Sequence, residues 1–193
     1  WFVDFSLYYY GQIHFLRATE VWMSALTISA ALIQFLTMGL WARLNERFGV
    51  RFVVILGPLL ISLASFGMVA ATGIAGPARL PVLLVFYVTH APGAAIVILN
   101  MFQCFLEVIG AKNRAMLIAI YSAINVAANA LCPVLGMQVF LWMGGDLSAY
   151  RLIMTIIGAL RLAAGGLFFF RWRLLRGREL TPLSANSTKT QPK

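Results

Sequence analysis

Carboxylates are scarce in this sequence: six Asp and Glu occur in 193 residues, and charged side chains of both signs make up 11%. A water-soluble domain of that length needs far more charge to cover its surface, so a soluble globular fold is excluded. Histidine occurs twice, as His14 and His90, and neither belongs to a His-Glu-x-x-His helix. Paired aspartates are missing as well. The sequence therefore lacks the clusters that intramembrane hydrolases use, and it is read as a non-enzyme with no cofactor and no metal. A Gly-rich phosphate loop is absent, which excludes an ATP-driven pump. Cysteine is limited to Cys104 and Cys132, both inside apolar runs. They read as small packing residues rather than a disulfide or a metal pair. Segments of roughly 10 residues alternating apolar and polar, which a membrane β-barrel requires, are also missing.

What is present is apolar. Hydrophobic residues make up 61% of the chain, in stretches of about 20 separated by short polar breaks, the length that spans a hydrocarbon core. Backbone groups in lipid must satisfy one another, so these spans are expected to be helices. The expected fold class is an all-α integral membrane protein. A partial span covers residues 1–10 and a short polar loop covers 11–18. Full spans follow at 19–43, 52–73, 80–109, 115–143 and 150–170, giving a membrane bundle over 1–173 and a polar tail over 174–193. Tyr8, Tyr9 and Tyr10 close the partial span as an interfacial aromatic belt would. The tail is expected to be mostly disordered. Trp1 opens the sequence inside an apolar run, which reads as a fragment of a longer protein.

The formal charge is +9, yet no basic stripe with interleaved aromatics lies outside the spans, so nucleic acid is not an expected partner. The basic residues instead fall on one side. Arg43, Arg47, Arg51, Lys112 and Arg114 occupy two turns, and the C-terminal segment adds Arg171, Arg173, Arg176, Arg178, Lys189 and Lys193. The opposite turns carry Arg17, Arg79 and Arg151. By the positive-inside rule the richer side, with the C-terminus, is cytoplasmic, in a plasma or inner membrane.

One of those turns carries a motif. Ala42-Arg43-Leu44-Asn45-Glu46-Arg47-Phe48-Gly49-Val50-Arg51 resembles the loop G-x-L-a-D-R-x-G-x-R of the major facilitator superfamily. Leu44, Arg47, Gly49 and Arg51 match, while Glu46 stands where the family has Asp and Ala42 where it has Gly. Asn113-Arg114-Ala115, with Tyr121, Pro133 and Gly136 after it, is similar to that family's tenth and eleventh helices. Tyr150-Arg151 and Ala159-Leu160-Arg161-Leu162 are similar to its twelfth. The resemblance covers nearly the whole chain in order. It implies one half of a twelve-helix fold, helices seven to twelve with seven truncated. It also implies secondary transport of a small solute by alternating access, between this half and the N-terminal half of the same chain. Leu44, Glu46, Arg47, Gly49 and Arg51 would form the conformational loop, with lipid and a small-molecule substrate as the other partners. The alternatives are a non-transporting receptor or scaffold of the same fold and, further off, an intramembrane enzyme.

Polar residues inside spans are costly in lipid and so mark candidate sites. Asp4 is a candidate for proton coupling or substrate binding. His90 precedes Pro92-Gly93, a pair expected to loosen its helix and free carbonyls along the path. Asn100 follows on the same span. Gln34 is midway along its span, and Asn125 and Asn129, four apart, share a helical face. These six are the candidate substrate or proton path. Arg161 sits mid-span and needs a carboxylate, a carbonyl or a route to the interface. The charge bias makes a topology prediction. In the full-length protein in intact cells, a cysteine replacing Thr188 is protected from an impermeant thiol reagent and one replacing Asp146 is labelled; the reverse pattern inverts the orientation.

Overall fold

The structure, a computed structural model, describes residues 5–109 and 113–175. Asp4, Lys112 and the tail from residue 176 onward lie outside the described residues. Helix α1 (Phe5–Tyr10) passes directly into a π-helical turn, Gly11–Phe15. It is followed by α2 (Glu20–Phe48), α3 (Val50–Gly73), α4 (Arg79–Val108), α5 (Arg114–Trp142) and α6 (Leu147–Leu175). Among the described residues there is no strand, and five helices, α2 to α6, are long and apolar enough to cross a membrane.

Helix α3 is the hub. It packs along α4 on one side and α6 on the other, while α2 lies mainly on α4 and α5 mainly on α1. Small residues let α3 and α4 approach. A Cβ added at Gly93 would stand 2.8 Å from the Gly57 carbonyl oxygen and 2.6 Å from the Leu60 Cβ, so contact is backbone to backbone, as in many helix pairs in lipid. This corrects the expected role of Pro92-Gly93. Helix α4 runs unbroken through Pro92, as α3 does through Pro58 and α5 through Pro133. Prolines are tolerated in such helices because neighbours and local adjustments re-satisfy the backbone, and Gly93 serves the α3 contact rather than a break.

The segment 11–18 also departs from expectation. It is not a polar loop, since the helix continues to Phe15 in π geometry, with the Leu16 N–H donating to the Gly11 carbonyl at 3.0 Å. Gly11, Gln12 and Leu16 are buried. Polar character here marks an inward-facing turn, and Arg17, in the left-handed region at φ 52°, ends it. The main core gathers Leu7, Leu16, Leu26, Met68, Phe140, Tyr150 and Met154 around this turn. The outer faces stay apolar: Phe35 is 72% exposed, Val126 70% and Leu167 71%. Such a surface is consistent with an integral membrane protein.

Helix ends are set by local chemistry. Helix α2 runs to Phe48 rather than residue 43, so most of the loop motif is helical. Gly49, at φ 82° and ψ 146°, is the single residue between α2 and α3. That backbone conformation is open to glycine and strained for other residues. Helix α6 begins earlier than expected because Asp146 caps it: its Oδ1 accepts from the Ala149 N–H and its Oδ2 from the Ser148 hydroxyl, both at 2.8 Å. The Ala149 N–H, and then Ser148, hold the Asp146 carboxyl below its ordinary value. The pKa is lowered on folding, so the cap contributes above the ordinary carboxylate range and fades as pH falls through the lowered value. The same helix continues through Arg171 and Arg173 to Leu175, with cations where the helix dipole favours them.

The α3–α4 approach sets a stability test. Gly93→Ala must displace backbone atoms and is expected to cost about 1–3 kcal/mol. Gly166→Ala, with nothing within 4 Å of the added carbon, is expected to cost nothing. Thermal unfolding of the full-length protein in detergent checks the pair, and equal melting shifts contradict the packing described.

Candidate functional site

Arg161 is the central residue of α6, with fourteen residues of Leu147–Leu175 on either side. Gln34 is in the same way the central residue of Glu20–Phe48. Both line a cavity of about 290 Å³. Its other walls are Tyr8 and Tyr9 of α1, Gln12 of the π turn, Thr27, Ala30 and Ala31 of α2, Ile61 and Ala64 of α3, and Tyr87 and His90 of α4. The α2 residues fall at spacings of three, four and seven, so Thr27, Ala30, Ala31 and Gln34 form one helical stripe, small at its middle and polar at its ends.

Two hydrogen-bonded groups organise the cavity. In the first, Arg161 Nη1 donates to Ser65 Oγ at 2.8 Å and to Tyr8 Oη at 3.2 Å, and the two hydroxyl oxygens lie 2.9 Å apart. A guanidinium only donates, so both hydroxyls accept from it, and one also donates to the other. In the second, Gln12 Nε2 donates to Tyr87 Oη at 2.6 Å. The Tyr87 carbonyl accepts from His90 Nδ1 at 2.7 Å, which leaves Nε2 as the acceptor of the neutral ring. The groups meet where the Tyr8 and Tyr87 rings pack edge to face, 6.2 Å between centroids. Tyr8 and Gln12 are four apart, so one face of α1 and its π turn reaches Arg161, Ser65 and Tyr87 together.

Of the candidate path residues, the structure brings Gln34 and His90 to the cavity. Asn100 lies elsewhere. It is fully buried where α4 meets the end of α2, in a reciprocal amide pair with Asn45. Asn45 Nδ2 donates to Asn100 Oδ1 at 2.7 Å and Asn100 Nδ2 to Asn45 Oδ1 at 3.1 Å. Asn125 and Asn129 bond back to the Tyr121 and Asn125 carbonyls of their own helix, at 3.0 and 2.9 Å. Asp4 lies outside the described residues. Tyr8, expected in an interfacial belt, faces inward to Arg161. Tyr10 packs against Phe15 and Phe140.

The loop motif lies apart from the cavity. Leu44 packs on a second core cluster of Trp41, Val53, Ala95 and Ile96. Glu46 is exposed, Arg47 lies 5.2 Å from the Phe48 ring centre, and Arg51 is half-buried in the first turn of α3. Among the described residues, no group of three or more His, Cys, Asp or Glu is placed to hold a metal ion.

Several lining residues were missed by sequence reasoning: Tyr8, Tyr9, Gln12, Thr27 and Tyr87. The Thr27-to-Gln34 stripe was visible as small and polar residues at helical spacing in an apolar span, and the Tyr8–Gln12 spacing was visible too. Comparison of the chain with protein-family models, with curated proteins and with solved structures finds no match. Over the described residues, fold and site thus define an all-α chain with five helices long and apolar enough to cross a membrane and a partly open cavity lined by both polar and apolar side chains.

Proposed function

We propose that this chain is the C-terminal half of a major-facilitator-type secondary transporter, moving a small solute by alternating access. The observation that carries the reading is that Arg161 and Gln34, each at the midpoint of a membrane-length helix, line the same cavity. Polar groups at mid-membrane depth are costly and persist where they face a water-filled path or a solute. Gln34, Tyr9 and His90 provide contacts for the solute, and Arg161 anchors the wall. Gly49 joins α2 to α3 without slack, so the two helices move as one unit when this half rocks against the other. The Asn45–Asn100 pair ties the same end of α2 to α4. On this reading the C-terminus is cytoplasmic, the membrane is a plasma or inner membrane, and Asp4 is the candidate for proton coupling.

The test is flux. The full-length protein in proteoliposomes is given small labelled anions, cations and neutral solutes under an imposed proton gradient. One class is expected to accumulate. Gln34→Ala and His90→Ala are each expected to lower its uptake about tenfold, the worth of roughly one hydrogen bond, with protein abundance unchanged. Folded protein that moves no solute contradicts transport and favours a receptor of the same fold, which would bind in this cavity without releasing across the membrane.

A further inference from the structure

Three helices meet at the basic end of the bundle. Gly49 joins α2 directly to α3, and the last turns of α6 pack on the first turn of α3, where the Phe52 and Trp172 ring centres lie 5.3 Å apart. Ring contacts continue to either side, from Phe52 to Phe48 at 5.8 Å and from Trp172 to Phe169 at 5.7 Å. One aromatic row therefore crosses from the end of α2 to the end of α6. Arginines accompany it. The Arg47 guanidinium lies 5.2 Å from the Phe48 ring centre, within cation–π reach. Arg43 stands one helical turn before Arg47, and Arg171 and Arg173 flank Trp172 in sequence. Arg43, Arg47 and Arg173 are exposed, while Arg51 is half-buried and already engaged within the protein. The carboxylates at this end are Glu46, exposed on the last turn of α2, and Glu107 near the end of α4, so positive charge prevails. Depth fits a membrane interface. Arg43 and Arg171 stand nine and ten residues beyond Gln34 and Arg161, the midpoints of α2 and α6, or about 14–15 Å along the helix axis. That is about half of a hydrocarbon core of ~30 Å, so Arg47 and Arg173 fall at headgroup level. Toward the middle of the same helices Leu36, Leu40, Leu167 and Phe170 are exposed.

We infer that this end of the bundle binds the headgroup of an anionic phospholipid, with Arg43, Arg47 and Arg173 on its phosphate oxygens and the aromatic row at the level of the interface. This rests on placing α2, α3 and α6 across a membrane and not on transport. Guanidinium groups match phosphate oxygens with paired, charge-assisted hydrogen bonds. Each arginine near the surface adds attraction to a headgroup of net negative charge, which a zwitterionic headgroup does not return. Aromatic rings are favoured at headgroup depth and hold the arginines there. A soluble phosphate meets the same arginines but brings no acyl chain to lie on the exposed leucines of α2 and α6, so lipid is the source the surface fits.

The experiment measures lipid bound to the purified full-length protein in detergent by native mass spectrometry, titrating phosphatidylglycerol and phosphatidylcholine with identical dioleoyl chains. Phosphatidylglycerol is expected to bind about tenfold or more tightly. Arg47→Gln combined with Arg173→Gln, both at exposed positions, is expected to weaken phosphatidylglycerol binding about tenfold. Arg17→Gln combined with Arg79→Gln removes the same charge from the opposite end of the bundle and is expected to leave the preference in place. Equal binding of the two lipids to the unmodified protein overturns the inference, whatever the variants do. An intact preference in the Arg47 and Arg173 double variant overturns it as well. An equal loss in both double variants does the same, because net charge and not this end then draws the lipid. Displacement of phosphatidylglycerol by millimolar inorganic phosphate makes the ligand a free anion and overturns the lipid assignment. The transport reading fails separately. Protein that prefers phosphatidylglycerol but moves no solute refutes transport alone, and a transporter indifferent to the headgroup refutes the lipid site alone.

Discussion

A guanidinium at the middle of a membrane-length helix is the constraint around which this chain is arranged. Placing Arg at the centre of a spanning helix costs about 2.5–3.5 kcal/mol on insertion scales, so Arg161 must find polar partners within the bundle. It reaches Ser65 on α3 and Tyr8 on α1, and that single side chain ties three elements at one depth. Tyr8 packs edge to face with Tyr87, whose hydroxyl accepts from Gln12, so α4 and the π turn join the same network. The cavity forms where these polar groups are held apart from the apolar core. The small stripe of α2 lies beside it because larger side chains would fill it.

The rest of the bundle follows from contacts that lipid cannot supply. Lipid tails are as apolar as leucine, so helices in a bilayer associate through close packing and interhelical hydrogen bonds. Gly57 and Gly93 provide the first between α3 and α4. The Asn45–Asn100 pair provides the second between α2 and α4, with both amides donating and accepting. Ser6, donating to the Pro133 carbonyl at 2.9 Å, joins α1 to α5. The two outermost helices, α2 and α5, keep apolar faces exposed, as chains that meet lipid or a further helical bundle do.

Hydropathy and charge were enough to read five long apolar helices, with ends within about five residues of those observed, and to single out Gln34 and His90, which the structure places at the cavity. What they miss is azimuth. Hydropathy places Asn100 and His90 on one span but not on which side of it, and the structure sends one to an amide pair and the other to the cavity. Asn125 and Asn129 share a face, as their spacing requires, but each amide satisfies a carbonyl of its own helix. Gln12 looked like loop because a polar turn facing inward has the same composition as one facing water. Helix ends shifted for a similar reason. The Asp146 cap and the Gly49 backbone fix α6 and α2 through specific hydrogen bonds and dihedral angles, to which a hydropathy window is blind. The partners of Arg161 were out of reach because Tyr8 and Ser65 lie 153 and 96 residues away in sequence.

The central claim is that Arg161 is held by its hydroxyl partners and organises the bundle through them. A double-mutant cycle tests it most directly. Unfolding free energies are measured in detergent for the full-length protein, Ser65→Ala, Arg161→Met and the combination. Hydrogen bonds to a charged group are worth about 1.5–3 kcal/mol, so the cycle is expected to return a coupling of about that size. Additive single-mutant effects, within about 0.5 kcal/mol, would mean that the two side chains do not depend on each other and would contradict the account.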